Sequence, residues 1–416
     1  MMSSQPVSEP TIETNVTQME TATWTEFIQP SMLYRLARFF GENPDLISLA
    51  GGAPDPNLCP RDELAAAATH TMSTNPRSLQ YGRDLPALKE QIVGLMALRG
   101  VTCTPDQITI TGSGQHAMDV LSRLFLNPGG QVMLEELVYS GIQQAVAPFQ
   151  PEILTIPIDS VTGLDLDRLE GYLEAGARPA FFYTIAEAHN PLALSLSPQK
   201  RERLIQIARR YQVPIIEDDA YGFLNYEAQE RPPLCALDDE WVIYIGSFAK
   251  IIAPGLRLGW IVSPTALVPK IQVTKQLALL CVAVLSQHIV TTYLSMNDFA
   301  AHLRHLRQEY GRRRDAMLDA MAQHFPPEVT WNKPSGGLFI WVKLPEGFDT
   351  EEILYRAAKE IEVGFIPGKA FVTDQVAAQG RYDNYMRLTF ARYEAERLQE
   401  GIARLGRLLK QIIRGD

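Results

Sequence analysis

A lysine in the middle of the chain has the surroundings that point most directly to chemistry. Lys250 ends the block Gly-Ser-Phe-Ala-Lys at 246–250, directly behind a β-rich run, and Arg257 follows seven positions later. A lysine behind a strand is ordinarily a surface residue. Among glycine, proline and small apolar residues, however, its pKa can be lowered, and such a lysine forms Schiff bases with carbonyl compounds. The block therefore indicates a lysine nucleophile, with a surface lysine as the alternative.

Two further groups of polar residues also follow β-rich runs. The turn at 112–115 (Gly-Ser-Gly-Gln) opens a helical stretch, so its backbone amides and the helix N-terminus favour an anion such as phosphate. The segment 217–221 (Glu-Asp-Asp-Ala-Tyr) offers a buried carboxylate that could hold a protonated ring nitrogen. The alternatives are a plain strand-to-helix connection for the first group and solvated loop acids for the second.

The surrounding pattern predicts a scaffold that brings these groups together. From about residue 100, β-rich runs at 108–111, 132–134, 180–184, 213–217, 241–246 and 258–262 alternate with helical stretches such as 115–126 and 197–211. This alternation predicts an α/β fold with a mainly parallel sheet covered by helices on both faces. Ligands of such sheets bind at the carboxyl ends of the strands, which is where the three groups lie.

The last third has a different pattern. A long helix is predicted over 297–325, followed by strands at 337–341 and 386–390 and a terminal helix over 394–413. These elements predict a smaller α+β domain. The most apolar run, 277–285, is too short to span a membrane and predicts a buried helix instead.

Composition narrows the classes of protein and of partner. A formal net charge of −10 without a basic patch gives no support for nucleic-acid binding. The four cysteines are scattered and form no CxxC pair, which argues against a metal cluster or a disulfide framework and favours a reducing cytoplasm. The first 20 residues are polar and read as a flexible leader without the features of a signal peptide.

Eight short motifs occur together along the chain. They are Ile-Ser-Leu-Ala-Gly-Gly-Ala-Pro at 47–54, Leu-Gln-Tyr-Gly at 79–82, Asn-Pro-Gly at 127–129, His-Asn-Pro at 189–191, Glu-Asp-Asp-Ala-Tyr at 217–221, the block 250–260, Pro-Ser-Gly-Gly-Leu-Phe at 334–339 and Arg-Leu-Thr-Phe at 387–390. In this order they resemble the fold-type I aminotransferases that depend on pyridoxal 5′-phosphate (PLP). The resemblance covers roughly residues 24 to 412 and is closest to the branch containing kynurenine/α-aminoadipate and aromatic aminotransferases.

The resemblance implies an organisation for the chain. The sheet would be of the seven-stranded type. A flexible leader (1–24) would precede an N-terminal segment (25–60) that packs with the small domain. A large PLP-binding domain (61–296) and a C-terminal small domain (297–416) would follow.

The resemblance also implies roles around the cofactor ring. Lys250 would form the Schiff base with PLP and later move the substrate's Cα proton, which requires hydrogen-bond reach. Asp218 would pair with the pyridinium nitrogen, while Asn190 and Tyr221 would contact the 3-oxygen. Tyr139 would stack on the ring, with an ordinary packing tyrosine as the alternative.

Other roles concern the phosphate and the substrate. Ser113, Gly114 and Gln115, with Ser247 and Arg257, would hold the phosphate, and Arg257 would do so by a forked, charge-assisted contact. Tyr81 would reach the phosphate in the neighbouring subunit, which implies a homodimer with shared active sites. Arg387 would clamp the substrate α-carboxylate in bidentate fashion, and Gly51, Gly52 and Asn190 would line the substrate pocket.

Four departures from the family pattern surround the predicted site. The stretch 81–86 lacks a second glycine and is two residues short, and Ser113 and Gly114 look transposed, with His116 following. Leu192 and Ala193 replace a Thr-Gly pair, and Ala249 replaces a serine. His116 and His189 are either packing and hydrogen-bonding residues or an added acid or base.

Two enzymatic functions are compatible with this pattern. The first is ping-pong transamination of an L-amino acid to its 2-oxo acid, with 2-oxoglutarate or another oxo acid as acceptor. The second, suggested by the altered loops, is a PLP-dependent lyase, cyclase or oxidase of a specialised biosynthetic pathway. A PLP-binding regulator is a third hypothesis, opposed by the roughly 25 residues that precede the region of resemblance. Tyr34, Arg35 and Arg38 are candidates for recognising the substrate side chain.

Overall fold

A computed structural model describes most of the chain. The described residues are 45–227, 231–377 and 379–415, together with Glu20, Ala22, Trp24, Thr25, Met32, Arg35, Leu36 and Phe39. Two of the proposed side-chain recognition residues, Tyr34 and Arg38, lie outside the described residues, and Arg35 is exposed.

The larger sheet has seven strands. In chain order they are β1 (Ile108–Thr111), β2 (Gln131–Glu135), β3 (Glu152–Ile156), β4 (Phe182–Thr184), β5 (Ile215–Asp218), β6 (Val242–Ser247) and β7 (Gly259–Val262). Their spatial order is β1-β7-β6-β5-β4-β2-β3. The strands from β6 to β3 run parallel, whereas β7 runs antiparallel to both of its neighbours. The predicted mainly parallel sheet is confirmed, and the sequence pattern missed β3 and the reversal of β7.

Twelve α-helices have both of their ends in the described residues. They are α1 (Arg61–Thr74), α2 (Pro86–Ala97), α3 (Gly114–Phe125), α4 (Ser140–Val146), α5 (Leu166–Glu174), α6 (Pro198–Tyr211), α7 (Val268–Ala278), α8 (Val284–Met296), α9 (Phe299–His324), α10 (Thr350–Glu360), α11 (Asp374–Ala377) and α12 (Ala395–Arg414). None of them combines the length and the apolar character needed to cross a membrane.

Helices cover both faces of the larger sheet because its strands are apolar on both sides. All four residues of β5 are buried, and two successive residues of the strand, Ile215 and Ile216, belong to different core clusters. One cluster includes side chains of α3, α4 and α7, and the other includes side chains of α2, α5 and α6. Successive strand residues point to opposite faces, so a strand buried on both sides has a nearly continuous apolar run.

The prediction of one buried helix over 277–285 is wrong. Helix α7 ends at Ala278 and α8 begins at Val284, so the run spans a helix break. Leu277 is 85% exposed and Leu280 is 64% exposed. An apolar segment is expected to be shielded from water. Its composition does not tell whether the residues that shield it belong to the same chain or to a second one.

A second, antiparallel sheet follows in the last part of the chain. Its strands are β8 (Thr330–Trp331), β9 (Phe339–Lys343), β10 (Ile366–Pro367) and β11 (Tyr385–Thr389), in the spatial order β8-β9-β11-β10. Helix α9 packs along α12. The two-residue strand Ile47–Ser48 pairs in parallel with Val363–Gly364, so the beginning of the described chain joins this region.

Candidate active site

A cavity of about 410 Å³ opens at the carboxyl edge of the larger sheet. Its lining contains thirteen of the predicted site residues. These are Gly51, Gly52, Ser113, Gly114, Gln115, Tyr139, Asn190, Asp218, Tyr221, Ser247, Lys250, Arg257 and Arg387. The remaining one, Tyr81, does not line the cavity and is 82% exposed.

Lys250 lies in the turn behind β6, and its amine faces the cavity. Burial is the main cause that lowers its pKa to about 8, and the positive charges of Arg387 and Arg257 lower it further, against the opposing effect of Asp218. The Nζ atom donates a hydrogen bond to the carbonyl oxygen of Gly52 at 2.8 Å. An amine with this pKa is partly neutral near pH 8 and can therefore accept a proton or attack a carbonyl.

Asp218 ends β5 and presents its carboxylate to the cavity. Burial raises its pKa to about 6, although a hydrogen bond from the hydroxyl of Tyr183 on β4, at 2.7 Å to Oδ2, acts in the opposite direction. The next residue, Asp219, points away and pairs with Arg99 at 3.2 Å. Sequence reasoning missed Tyr183, although the predicted strand at 180–184 contained it.

Arg387 lies on β11 and is buried without a carboxylate partner among the described residues. Its Nη1 donates to Asn190 Oδ1 at 2.6 Å and its Nη2 to the carbonyl oxygen of Ala50 at 2.8 Å, while Nε has no partner. The guanidinium lies 4.0 Å from the ring centre of Phe339 and 4.6 Å from that of Phe371. Burial lowers the pKa of Arg387 to about 10. Such a cation is stabilised by an incoming carboxylate.

The turn before α3, where the sequence predicts an anion site, brings the N-terminus of that helix to the cavity. Ser113 caps the helix by accepting a hydrogen bond from the backbone N–H of His116 at 3.2 Å. Its φ of 150° lies in a region that non-glycine residues rarely adopt, which is a strained conformation of the kind found at functional sites. The transposition of serine and glycine thus leaves a glycine-like backbone at a serine. Arg257 lines the same cavity, and no carboxylate among the described residues pairs with it.

A tyrosine and a glutamine are held beside this turn by a close approach at Gly141. The Nε2 of Gln115 donates to the carbonyl oxygen of Gly141 at 2.8 Å. A Cβ at Gly141 would lie 2.2 Å from Gln115 Oε1 and 2.3 Å from the Tyr139 ring. Glycine at 141 therefore lets both side chains occupy these positions. In the sequence, the only indication of this role is that Gly141 lies two residues after Tyr139.

The opposite wall of the cavity is aromatic. Tyr221 and Phe339 meet edge to face with ring centres 5.7 Å apart. A Cβ at Gly52 would lie 2.8 Å from Phe339 Cζ, so only glycine fits there without a shift. The neighbouring Gly51 has no atom within 4 Å of the corresponding position.

Neither of the two histidines lines the cavity. His116 Nδ1 accepts a hydrogen bond from the backbone N–H of Gly112 at 2.9 Å. His189 is buried and bonds to Glu135 at 2.6 Å. Both positions fit the hydrogen-bonding alternative rather than an added acid or base in contact with a substrate.

These groups suit PLP in their chemistry. The helix N-terminus with Arg257 offers donors for a phosphate, and Asp218 offers a buried carboxylate for a cationic ring nitrogen. Lys250 offers an amine of lowered pKa for an aldehyde, and the orphaned Nε of Arg387 marks a place for a carboxylate. The described residues contain no group of three or more His, Cys, Asp or Glu side chains that could hold a metal ion.

Comparison with known proteins places this architecture in a family. Residues 44–405 match the family model described as aminotransferase class I and II. The chain is 35% identical over 379 residues to aromatic-amino-acid aminotransferase 1 of Thermococcus litoralis, which covers 89% of each chain.

Solved structures agree with this match. A kynurenine aminotransferase from Pyrococcus horikoshii, in complex with PMP, has a TM-score of 0.87 and 33% identity over 94% of this chain and 97% of that one. The α-aminoadipate aminotransferase of Thermus thermophilus, complexed with N-(5′-phosphopyridoxyl)-L-leucine, has a TM-score of 0.84 and 32% identity over 95% and 100%.

These three relatives bear the name of one reaction class, and they do not favour the lyase, cyclase or oxidase alternative. The predicted fold-type I architecture and the predicted cofactor are confirmed by the same comparisons. The chain belongs to the class I and II aminotransferases, PLP-dependent transferases that convert an L-amino acid to its 2-oxo acid by transamination.

Proposed function

We propose that the cavity around Lys250 is the transamination site and that its residues have the roles expected from the sequence. One observation supports this most strongly: thirteen side chains or backbone segments, from distant parts of the chain, line a single cavity of about 410 Å³. PLP, when bound, supplies the electron sink that stabilises negative charge at the substrate Cα.

Lys250 holds the cofactor and then moves the proton at the substrate Cα. Its lowered pKa, about 8, makes the neutral amine available near neutral pH, which a general base needs. The positive charges of Arg387 and Arg257 keep the pKa low, so the groups that bind anions also tune the base. The hydrogen bond from this amine to Gly52, which we assign to the substrate pocket, supports that role.

Four residues hold and tune the ring of the cofactor. Asp218 would keep the ring nitrogen protonated, and the Tyr183 hydroxyl donates to that carboxylate. Asn190 and Tyr221 would donate to the 3-oxygen, and Tyr139 would pack against the ring.

The phosphate of the cofactor would be bound at the turn before α3. The groups that would bind it are the backbone amides of Ser113, Gly114 and Gln115, with Ser247 and Arg257.

Arg387 receives the α-carboxylate of the substrate. The side chain of the amino acid then meets an apolar and aromatic wall that includes Ile185, Phe339 and Ile366. Apart from Lys250, Arg257 and Arg387, the described lining residues include no cation that could pair with a second carboxylate. The site thus favours a large neutral or aromatic L-amino acid, with 2-aminoadipate, named in a relative, as the competing candidate.

A second copy of the chain completes the site. Tyr81 is 82% exposed, and Leu79, Leu277 and Leu280 are also largely exposed. A monomer seldom leaves so many large apolar side chains in water, so a homodimer in which Tyr81 reaches the neighbouring phosphate accounts for them.

We also propose the division into segments 25–60, 61–296 and 297–416, and a cytoplasmic location in keeping with four free cysteines.

Chemical trapping tests the central assignment. Reduction of the PLP-loaded protein with borohydride, followed by peptide mapping, should place a pyridoxyl group on Lys250. Lys250→Ala should lose the label, whereas Lys343→Ala, at an exposed lysine, should keep it. A label on another lysine would overturn the proposed site.

A panel of amino acids tests the proposed substrate. Aromatic L-amino acids should convert the absorbance of bound PLP to that of pyridoxamine phosphate in a single turnover without an oxo acid. Release of ammonia or peroxide under the same conditions would contradict transamination. A faster response to 2-aminoadipate than to phenylalanine would overturn the neutral side-chain specificity.

A further inference from the structure

A buried chain of hydrogen bonds lies directly behind Asn190. The carboxylate of Glu135, the last residue of β2, accepts from Thr184 Oγ1 at 2.6 Å through one oxygen and contacts His189 Nε2 at 2.6 Å through the other. Thr184, Glu135 and His189 are each no more than 1% exposed. The proposed function uses none of these three residues.

The hydrogen on the His189 ring can be assigned from its neighbours. The backbone N–H of Leu192 points at Nδ1, at 3.4 Å, so Nδ1 is an acceptor. The hydrogen of the neutral ring is therefore on Nε2, which donates it to Glu135. The carboxylate consequently has a donor on each oxygen, and the imidazole orientation is fixed from both sides.

His189 holds the tip of the loop between β4 and α6. Its backbone N–H donates to the carbonyl oxygen of Leu194 at 2.8 Å, which closes a tight turn over 189–194. The ends of the same loop are held separately, because Arg201 donates to the carbonyl oxygens of Ala186 at 2.7 Å and Leu196 at 3.0 Å. The ring of His189 thus anchors the part of the loop that Arg201 does not reach.

The residue next to this anchor is Asn190, whose Oδ1 accepts from Arg387 at 2.6 Å. We infer that His189 and Glu135 are positioning residues, which fix Asn190 and, through it, the guanidinium that binds the substrate carboxylate. This inference rests on the proposed function, since it assigns Asn190 to the cofactor's 3-oxygen and Arg387 to the substrate.

The variants His189→Leu and His189→Gln distinguish an anchoring hydrogen bond to Glu135 from a role in packing alone. His189→Leu keeps an apolar volume but removes the donor to Glu135. His189→Gln places an amide N–H at a similar distance from Cα and restores that donor. A purely structural role would make both variants unstable, whereas a positioning role lets glutamine rescue what leucine loses.

The bound cofactor gives a readout that does not depend on turnover. Asn190 donating to the 3-oxygen favours its deprotonated form, so a displaced Asn190 should raise the pH midpoint of the visible absorbance change. For His189→Leu we expect a rise of roughly one pH unit and an increase of about tenfold in KM for the amino acid. Both values should return close to wild type in His189→Gln.

A control and a substitute variant make the comparison complete. Thr350→Val removes a buried hydroxyl that donates to the carbonyl oxygens of Asp383 and Tyr385 and does not line the cavity, so it should lower stability without moving the midpoint. If His189→Leu does not fold, Glu135→Met, which keeps the length of the side chain and removes both acceptor oxygens, should show the same shift. An unchanged midpoint and KM in a folded His189→Leu or Glu135→Met protein would overturn the inference.

A cofactor-free crystal structure of the variant separates this inference from the proposed function. In His189→Leu the hydrogen bond between Asn190 and Arg387 should be lost. Its retention would refute the positioning role even if PLP binds elsewhere. Conversely, a wild-type protein that takes no label on Lys250 would refute the proposed function and leave this structural comparison decisive.

Discussion

Two buried arginines are surrounded by very different groups. Arg313, on α9, is surrounded by Asp55 at 2.8 Å, Glu309 at 2.6 Å and Glu394 at 2.6 Å, and it also donates to the carbonyl oxygen of Ala391. Arg387, in the cavity, meets only an amide oxygen, a carbonyl oxygen and two aromatic rings. The first guanidinium has an excess of counter-charge and the second has none among the described residues.

We interpret this contrast as one between a charge that stabilises the fold and a charge that, in the proposed function, a substrate carboxylate neutralises. At Arg313 burial acts to lower the pKa, but hydrogen bonds and ion pairs with the surrounding carboxylates together outweigh it and raise the pKa. At Arg387 burial prevails and lowers the pKa to about 10. A buried cation without an anion destabilises the native state, and a substrate carboxylate removes that penalty on binding. If Arg387 binds the substrate as proposed, relief of its uncompensated charge contributes part of the free energy of binding.

Substitution of Arg387 should have the largest effect on function. Arg387→Met should lower kcat/KM for the amino acid on the order of a thousandfold, because two charge-assisted hydrogen bonds to the carboxylate are lost. The melting temperature should stay the same or rise, since the variant no longer buries an uncompensated cation. Steady-state kinetics measures kcat/KM, and calorimetry measures the melting temperature. A marked loss of stability would show that Arg387, like Arg313, stabilises the fold.

Substitution of Arg313 should have the opposite profile. Arg313→Met leaves three carboxylates facing one another and should lower the free energy of unfolding by roughly 3–5 kcal/mol. Turnover per folded molecule should be unchanged, because Arg313 does not line the cavity. Urea denaturation and active-site titration measure these quantities. A variant that is as stable as wild type would show that the carboxylate cluster contributes nothing.

Asp218 and Asp219 show the same contrast between an unpaired and a paired buried charge, here for carboxylates. Asp218 has a folded-state pKa of about 6, raised by burial, so the cofactor-free protein loses stability as pH rises from about 4 through 6. Asp218→Asn removes this loss and should stabilise the cofactor-free protein by roughly 2–3 kcal/mol at pH 8. The gain should shrink as pH falls through 6. Asp219→Asn, which breaks the pair with Arg99, is the control and should destabilise it.

The smallest effect is expected at Arg312. It contacts Glu309 at 2.7 Å and Glu394 at 2.8 Å, two of the three carboxylate partners of Arg313, but its side chain is 49% exposed. Solvent screens such pairs, so Arg312→Gln should change the free energy of unfolding by about 0.5 kcal/mol. Denaturation at low and high salt tests this. A loss comparable to that of Arg313→Met would mean that the number of ion pairs matters more than burial.

Much of the larger sheet could be predicted because its strands are buried on both faces. Residues 108–111 were predicted with the observed ends, and 213–217 and 241–246 were displaced by one or two residues. The edge strand Glu152–Ile156 was missed since its exposed and half-buried residues interrupt the apolar run. The reversal of β7 has no local signal, because strand direction depends on the path of the whole chain.

Site residues could be predicted where a short sequence motif indicates their role. They could not be predicted where the role depends on a contact with a residue distant in the sequence. Lys250, Asp218 and Arg387 each lie in a distinctive local sequence, and all three line the cavity. Tyr183 and Phe371 were missed, because their contacts with Asp218 and Arg387 exist only in the folded chain. The individual roles of the site residues stay predictions until the variants are measured.

The backbone carbonyls of Ala50 and Gly52, which accept from Arg387 and Lys250, have a consequence for protein engineering. A carbonyl group is common to every amino acid, so saturation libraries over this stretch preserve these two acceptors whatever codon is introduced. Selection would instead act on shape: Gly51 has open space where a side chain would go, and a Cβ at Gly52 would lie 2.8 Å from Phe339. Diversity aimed at new substrates belongs at position 51, and its neighbour is best left unchanged.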